Sequence, residues 1–424
     1  MALEVTGSCH VCRHCRACWS GACDIGGRGA WGFWFKRCGP QGKIHDGVCA
    51  REIGVDGMIW LSRVGPVLIM LSALSLVGVL TLMSVAGGDM DPFASNHLQK
   101  ALLALIVLCL VSALPSHIWQ QSGYLLHLGA ILLLLAVALL GDETKGAARW
   151  LDLGFFRLQP SELVKVTTVL AMAQLFKAMP MGKVTNWRSF IGMAILIGLP
   201  IIFILRQPDL GTSILVVFAA VACAFVAGMN WRVFAGGFVL LLAALPIAWQ
   251  FLKPYQQGRV LTFLDPSRDP MGAGYHILQS QTAIGAGEFW GRGWLGGTQS
   301  QLNFLPEKHT DFILSVFAEE FGFLGVVVVL MLIFMLVTYG FYLALVGRRL
   351  FTRVVAAGIS SVMFSYLFVN AGMIAGMLPV VGVPLPFMSF GGTAMITVAF
   401  GYGVMLSCHI HEIRQQADSR TFQP

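Results

Sequence analysis

Long blocks of uncharged, apolar residues, each near the thickness of a bilayer's hydrocarbon, constrain this 424-residue sequence more than any other feature. Residues 64–85, 101–114 and 354–369 are examples. A helix needs about 17–25 such residues to cross a membrane. Soluble domains carry about 25% charged residues, whereas only 12% of this chain is charged and 56% is hydrophobic. With a mean hydropathy of +0.74, it cannot cover a globular surface with polar groups, so lipid is its solvent. The formal charge of +7 does not indicate nucleic acid, because the cations lie in short loops between apolar runs, where Lys and Arg set topology.

The apolar blocks predict an all-α polytopic membrane protein of about ten helices. They fall near 63–86, 98–116, 123–141, 160–178, 188–205, 211–228, 232–251, 312–346, 353–377 and 389–408. The eighth exceeds a span, so its first part is expected at the membrane surface. Alternation puts Lys177, Lys183, Arg188, Arg232, Arg348, Arg349 and Arg353 on one side; the positive-inside rule makes that side, and both termini, cytoplasmic. The opposite side then holds 142–159, the long segment 252–310 and the turn 378–388. So large a loop in so apolar a chain is expected to carry function.

Three regions result: a leader at 1–57, a membrane domain at 58–411 and a cytoplasmic tail at 412–424. The leader contains Cys9, Cys12, Cys15, Cys18, Cys23, Cys38 and Cys49. The two-residue spacing of the first four would suit a zinc or iron–sulfur site. The segment nevertheless lacks periodicity and any run of signal-peptide length. It reads as disordered sequence upstream of a later translation start, with Met58 a candidate.

Polar residues concentrate at the outward segments. Pro160 suits the first turn of a helix, and Ser161, Glu162 and Lys165 follow it; Glu162 and Lys165, three apart, share a face. Ionisable groups in a span face a partner or a wet cavity, so this pair either pins the helix end or lines a site. Arg149 and Trp150 read equally as an interfacial anchor or as substrate contacts. Arg206 and Asp209 flank a tight turn in which Asp209 is expected to cap the next helix. In the long segment, Arg259 and Gln299 stand among Gly, Gln and Ser suited to close backbone approach and uncharged hydrogen bonds. The segment ends in Glu307-Lys308-His309-Thr310-Asp311. Thr310 is a plausible N-cap, with Asp311 in the first helical turn. A general base needs a carboxylate or imidazole near a bound hydroxyl, and residue types leave His309 and Asp311 both open.

In this order, from about 58 to 411, these motifs resemble the SEDS family of peptidoglycan glycosyltransferases. Arg149-Trp150-Leu151-Asp152-Leu153-Gly154, Gly297-Thr298-Gln299-Ser300-Gln301-Leu302 and Val381-Gly382-Val383-Pro384-Leu385-Pro386 resemble its RodA-like branch more than its FtsW-like one. The resemblance implies a polymerase of lipid II in the bacterial inner membrane, active at the periplasmic face during cell-wall elongation. It implies a class B penicillin-binding protein and other elongation-complex proteins as partners. It also makes Asp311 the essential acid and sets Lys165 near it. Arg149, Lys165, Arg206 and Arg259 become candidates to hold the departing diphosphate, with Ser161, Glu162, Trp150, Gln299, Glu307 and His309 in support. No cofactor is required, although a divalent cation could assist. The competing readings are a lipid II flippase or transporter and a non-catalytic scaffold of the elongation complex.

Overall fold

A computed structural model describes residues 42–140, 143–144, 147–152, 157–179, 184–207, 209–251, 254–265, 273–302, 304–305 and 307–421. Its helices are α1 (Gly42–Val85), α2 (Phe93–Ala113), α3 (Ser116–Leu140), α4 (Pro160–Lys177), α5 (Trp187–Arg206), α6 (Leu210–Val226) and α7 (Trp231–Phe251). They continue with α8 (Pro254–Leu264), α9 (Ala273–Ala286), α10 (Thr298–Gln301), α11 (Ile313–Val346), α12 (Leu350–Ile374) and α13 (Gly392–Thr421). Two antiparallel hairpins precede α4: β1 (Glu143–Thr144) with β2 (Ala147–Ala148), and β3 (Leu151–Asp152) with β4 (Arg157–Leu158). The chain from Arg63 onward forms one compact unit.

Among the described residues, 7 helices are long and apolar enough to cross a membrane. α6 and α7 are apolar but shorter by that measure. α4 carries Glu162, Lys165 and Lys177 in 18 residues and is too polar to qualify by composition. Lipid-exposed side chains such as Leu102, Leu125, Ile195 and Met331 ring the unit, while α12 and α13 are largely buried within it.

Several boundaries differ from the sequence reading. α1 begins at Gly42, inside the stretch expected as leader; the cysteines up to Cys38 lie outside the described residues. α13 runs on to Thr421, through most of the expected tail. The Glu412 carboxylate gives the reason: its Oε1 accepts from the backbone N–H groups of Arg348 (2.6 Å) and Arg349 (3.0 Å), tying the helix end to the α11–α12 turn. The described part of the long 252–310 segment contains α8, α9 and α10.

α11, longer than a single span, is interrupted. Its first section, Ile313 to Glu320, is buried throughout, and the helix breaks at Gly322, where φ is 65° and ψ is −167°. The break is stitched by the neighbouring 288–293 turn. Arg292 and Gly293 donate N–H bonds to the Glu319 and Glu320 carbonyls (3.0 and 2.9 Å), and Phe323 and Leu324 donate to Glu288 and Phe289 (2.9 and 3.2 Å). Glycines make this approach feasible: a Cβ on Gly291 would lie 2.1 Å from the Glu320 oxygen, and one on Gly322 would lie 2.3 Å from the Gly291 nitrogen. The backbone groups freed by the break are thereby satisfied, as a helix interrupted in a membrane protein requires.

The irregular 378–391 segment obeys the same rule. Val383, Leu385, Phe387 and Met388 are buried, and Ser389 closes the turn by donating its N–H to the Leu385 carbonyl while its hydroxyl accepts the Leu385 N–H. Phe390 N–H reaches the His309 carbonyl at 2.9 Å. This segment therefore packs onto the turn before α11 and helps to build the site.

Candidate active site

The polar groups gather at the end of the bundle where α4, α6 and α11 begin and α12 ends. Asp311 lies in the turn before α11, half-buried. It is not in the first helical turn, because the N-cap position falls at Phe312, which makes no side-chain cap. Thr310, the expected cap, turns back instead: its hydroxyl donates to the Glu307 carbonyl (3.3 Å) and carboxylate (3.1 Å). Glu307 adopts φ 55°, which curls this turn on itself and leaves Thr310 facing away from α11.

Two features press on Asp311. Asn370, fully buried near the end of α12, donates through Nδ2 to the Asp311 carbonyl (2.9 Å) and to the Val383 carbonyl (2.8 Å). Gly382, at φ 73°, lies beside the carboxylate; a Cβ there would be 3.2 Å from Asp311 Oδ2. A side chain at this position would crowd the acid, so the turn admits glycine for both conformation and space.

One turn deeper along α12, Tyr366 completes a second cluster. Lys165 Nζ donates to Glu162 Oε1 (2.7 Å) and to the Tyr366 hydroxyl (2.6 Å), and that hydroxyl donates to Glu162 Oε2. The ammonium also stands 4.2 Å from the Tyr366 ring centroid. Lys165 is only 1% exposed, and so deep an ion pair persists because hydrogen bonds satisfy its members. The contacts described for Lys165 are thus Glu162 and Tyr366, and it is related to Asp311 through the face of α12. Ser161 is buried beside this pair.

α6 closes the other side. Asp209 caps it as expected, accepting from the Thr212 N–H (3.1 Å) and hydroxyl (2.8 Å). Gly211 packs so closely on the 381–383 turn that a Cβ would meet Val381 Cγ1 at 2.3 Å. Arg149 donates through Nε to the Gln207 carbonyl (3.1 Å), which places it at the α5–α6 turn. Arg206, in the last turn of α5, is exposed, and Trp150 is 37% exposed. Arg259 belongs to α8, but its side chain lies outside the described residues.

His309 is stacked on Phe93 with ring centroids 4.8 Å apart and meets Phe390 edge-on at 6.2 Å. Lys100 stands 4.4 Å from the Phe390 ring centroid, which adds a cation to this wall. Gln299, Glu307 and Lys308 form a neighbouring patch. Glu319, fully buried, accepts from the Gln299 N–H (2.9 Å), the Thr298 hydroxyl (3.1 Å) and the Ser300 N–H (3.4 Å), capping α10. Lys308 Nζ donates to the Ser300 carbonyl (2.7 Å), and burial holds its ammonium below the usual lysine range.

Sequence reasoning missed Tyr366, Asn370 and Glu319. The signal for the first two was present: polar side chains four apart within an apolar helix are expensive in lipid and point to a partner. Among the described residues, no group of three or more His, Cys, Asp or Glu side chains is arranged to hold a metal ion.

Comparison with known proteins supplies a context for this geometry. The family model FTSW_RODA_SPOVE, "Cell cycle protein", matches residues 62–414. Escherichia coli K12 "Peptidoglycan glycosyltransferase MrdB" is 42% identical over 349 residues, covering 81% of this chain and 92% of the relative. "Probable peptidoglycan glycosyltransferase FtsW" of Idiomarina loihiensis is 37% identical over 327 residues, covering 75% and 78%. Among solved structures, a chain from a peptidoglycan synthase complex, described for its coordination of polymerization and crosslinking, superposes with a TM-score of 0.71 at 33% identity, covering 81% of this chain and 96% of its own. Thermus thermophilus rod shape determining protein RodA superposes with a TM-score of 0.61 at 29% identity, covering 82% and 96%. With most of its length matched in sequence and fold, this polytopic all-α chain belongs to the FtsW/RodA/SpoVE family of cell cycle proteins.

Proposed function

We propose that this chain is a peptidoglycan glycosyltransferase that polymerises lipid II, with Asp311 as general base. One observation carries the reading: a half-buried carboxylate is held by its backbone beside Gly382, where no side chain crowds it, one turn along α12 from a buried Lys165–Glu162–Tyr366 cluster. The relatives named as peptidoglycan glycosyltransferases support the substrate class.

In the reaction, a hydroxyl of the acceptor sugar attacks the anomeric carbon of the donor. The new C–O bond forms as the bond to undecaprenyl diphosphate breaks, with one inversion, and the hydroxyl proton passes to the Asp311 carboxylate. Proton removal of this kind contributes about 10²–10⁴-fold, and positioned cations stabilise the departing diphosphate. Arg149 and Arg206, at the α5–α6 turn, are the residues assigned to that anion. Lys165, closed off by Glu162 and Tyr366, braces the site from behind rather than offering it a net charge. Chelation with and without added magnesium reads whether a divalent ion shares this work.

On this reading the multi-pass chain lies in the inner membrane with both termini cytoplasmic and the Asp311 end periplasmic, as the positive-inside distribution of its short-loop cations supports. Its partner is a class B penicillin-binding protein, supported by the similarity to the synthase-complex chain. The test is polymerisation of lipid II by the purified chain with a transpeptidase-inactive partner. Asp311→Asn is expected to remove glycan strands while the protein keeps its melting temperature; an Asn variant that still polymerises would remove Asp311 as the base.

A further inference from the structure

We propose that Asn370 and Tyr366, four apart on one face of α12, are positioning residues that hold the carboxylate-bearing turn and the buried cation in fixed relation to each other. The proposal rests on Asp311 being the base, and assigns work to two side chains outside that reading.

The geometry at Asn370 is asymmetric in an informative way. Its Nδ2 donates to two carbonyls from separate segments, Asp311 and Val383, at 2.9 and 2.8 Å. Its Oδ1 is buried without a hydrogen-bond partner. An amide flip would set that oxygen against two carbonyl oxygens, so the two donated bonds alone dictate the orientation. A buried acceptor left without a donor is costly; the side chain is held despite that cost because it joins the turn before α11 to the turn that sets Gly382 beside Asp311 Oδ2.

One turn deeper, the Tyr366 hydroxyl accepts from Lys165 and donates to Glu162. Lys165 donates to Glu162 as well, so the three side chains close a ring. Residues at i and i+4 of a helix lie one above the other. Helix α12 therefore acts as a ruler: the base is attached at one rung and the cation at the next, and neither touches the other's attachment.

Reactions that depend on placement are sensitive to such a ruler, since a displacement of about 1 Å costs on the order of 10²-fold. The test measures initial polymerisation rates against lipid II concentration for the full chain in complex with a transpeptidase-inactive class B partner. Asn370→Asp, the same shape but with at most one donor in place of the amide's two, is expected to lower kcat about 10–100-fold with KM changed by less than about 3-fold. Tyr366→Phe is expected to lower kcat about 10-fold while leaving the Lys165–Glu162 bond in place. Rates are taken per folded protein, from the monodisperse fraction. An Asn370→Asp enzyme with parental kcat, or a loss carried wholly by KM, would overturn the proposal. Asp311→Asn in the same assay separates the two readings: if it polymerises, the base assignment fails; if it is inactive while Asn370→Asp is unimpaired, only the ruler fails.

Discussion

Gly382→Ala places one methyl group against the carboxylate on which the proposed chemistry depends. Gly382 has φ 73°, a conformation that costs an L-residue about 1–2 kcal/mol, so folded stability should drop by that amount. The added Cβ would sit 3.2 Å from Asp311 Oδ2, whereas even a weak carbon–oxygen contact settles at about 3.3–3.6 Å. The carboxylate must then retreat by roughly 0.1–0.4 Å. If about 1 Å of misplacement costs about 10²-fold, that retreat lowers turnover about 2–6-fold on a logarithmic scale. Gly228→Ala is the control: Gly228 has φ 91° with nothing within 4 Å of its added Cβ, so it carries similar backbone strain without touching the site. Thermal unfolding in detergent measures the strain, and lipid II polymerisation per folded protein measures the chemistry. Equal stability losses with slower turnover only in Gly382→Ala are expected. Parental turnover in Gly382→Ala, or an equal loss in Gly228→Ala, would refute the reasoning.

Three further outcomes are expected from buried contacts. Glu162→Gln leaves Lys165 without its ionic partner and should destabilise by about 3–5 kcal/mol; adding Lys165→Met should recover much of that in thermal unfolding, though not activity. Gly322→Ala combines about 1–3 kcal/mol of backbone strain with a clash on the Gly291 nitrogen, and should lower both the melting temperature and the folded yield. Glu319→Ala strips the hydrogen-bond acceptor from Thr298, Gln299 and Ser300. About 1–3 kcal/mol for each charged hydrogen bond lost should make the 297–308 stretch an early site of limited proteolysis, and unchanged cleavage would show that Glu319 does not hold it.

Much of the architecture was readable from the chain alone, because lipid as solvent demands helices of a set length and apolar composition. Most ends of the expected helices fall within a few residues of an observed helix end, although among the described residues 7 helices are long and apolar enough to span. Local chemistry was readable where it acts locally: Pro160 opens α4 and Asp209 caps α6. The departures share one cause. Thr310 suits a cap by local rules, but the competing acceptors of Glu307 win it. α13 outruns its apolar block because its anchor, Glu412, binds the distant α11–α12 turn.

The site divides in the same way. Residue types and their order brought forward Glu162, Lys165, His309 and Asp311, since ionisable groups beside apolar runs are conspicuous. Their relation to one another was beyond sequence. Lys165 meets Tyr366 across 201 residues, and Asp311 meets Asn370 across 59. The sequence alone determined that helices would span lipid and that acids and bases would collect at their ends. Only the packing of α4, α6, α11 and α12 decided that Lys165 pairs with Glu162 and Tyr366 and that Asp311 lies beside the Gly382 turn. Membrane helices pack on small residues and specific hydrogen bonds more than on hydrophobic pattern, so that choice leaves little trace in any single helix.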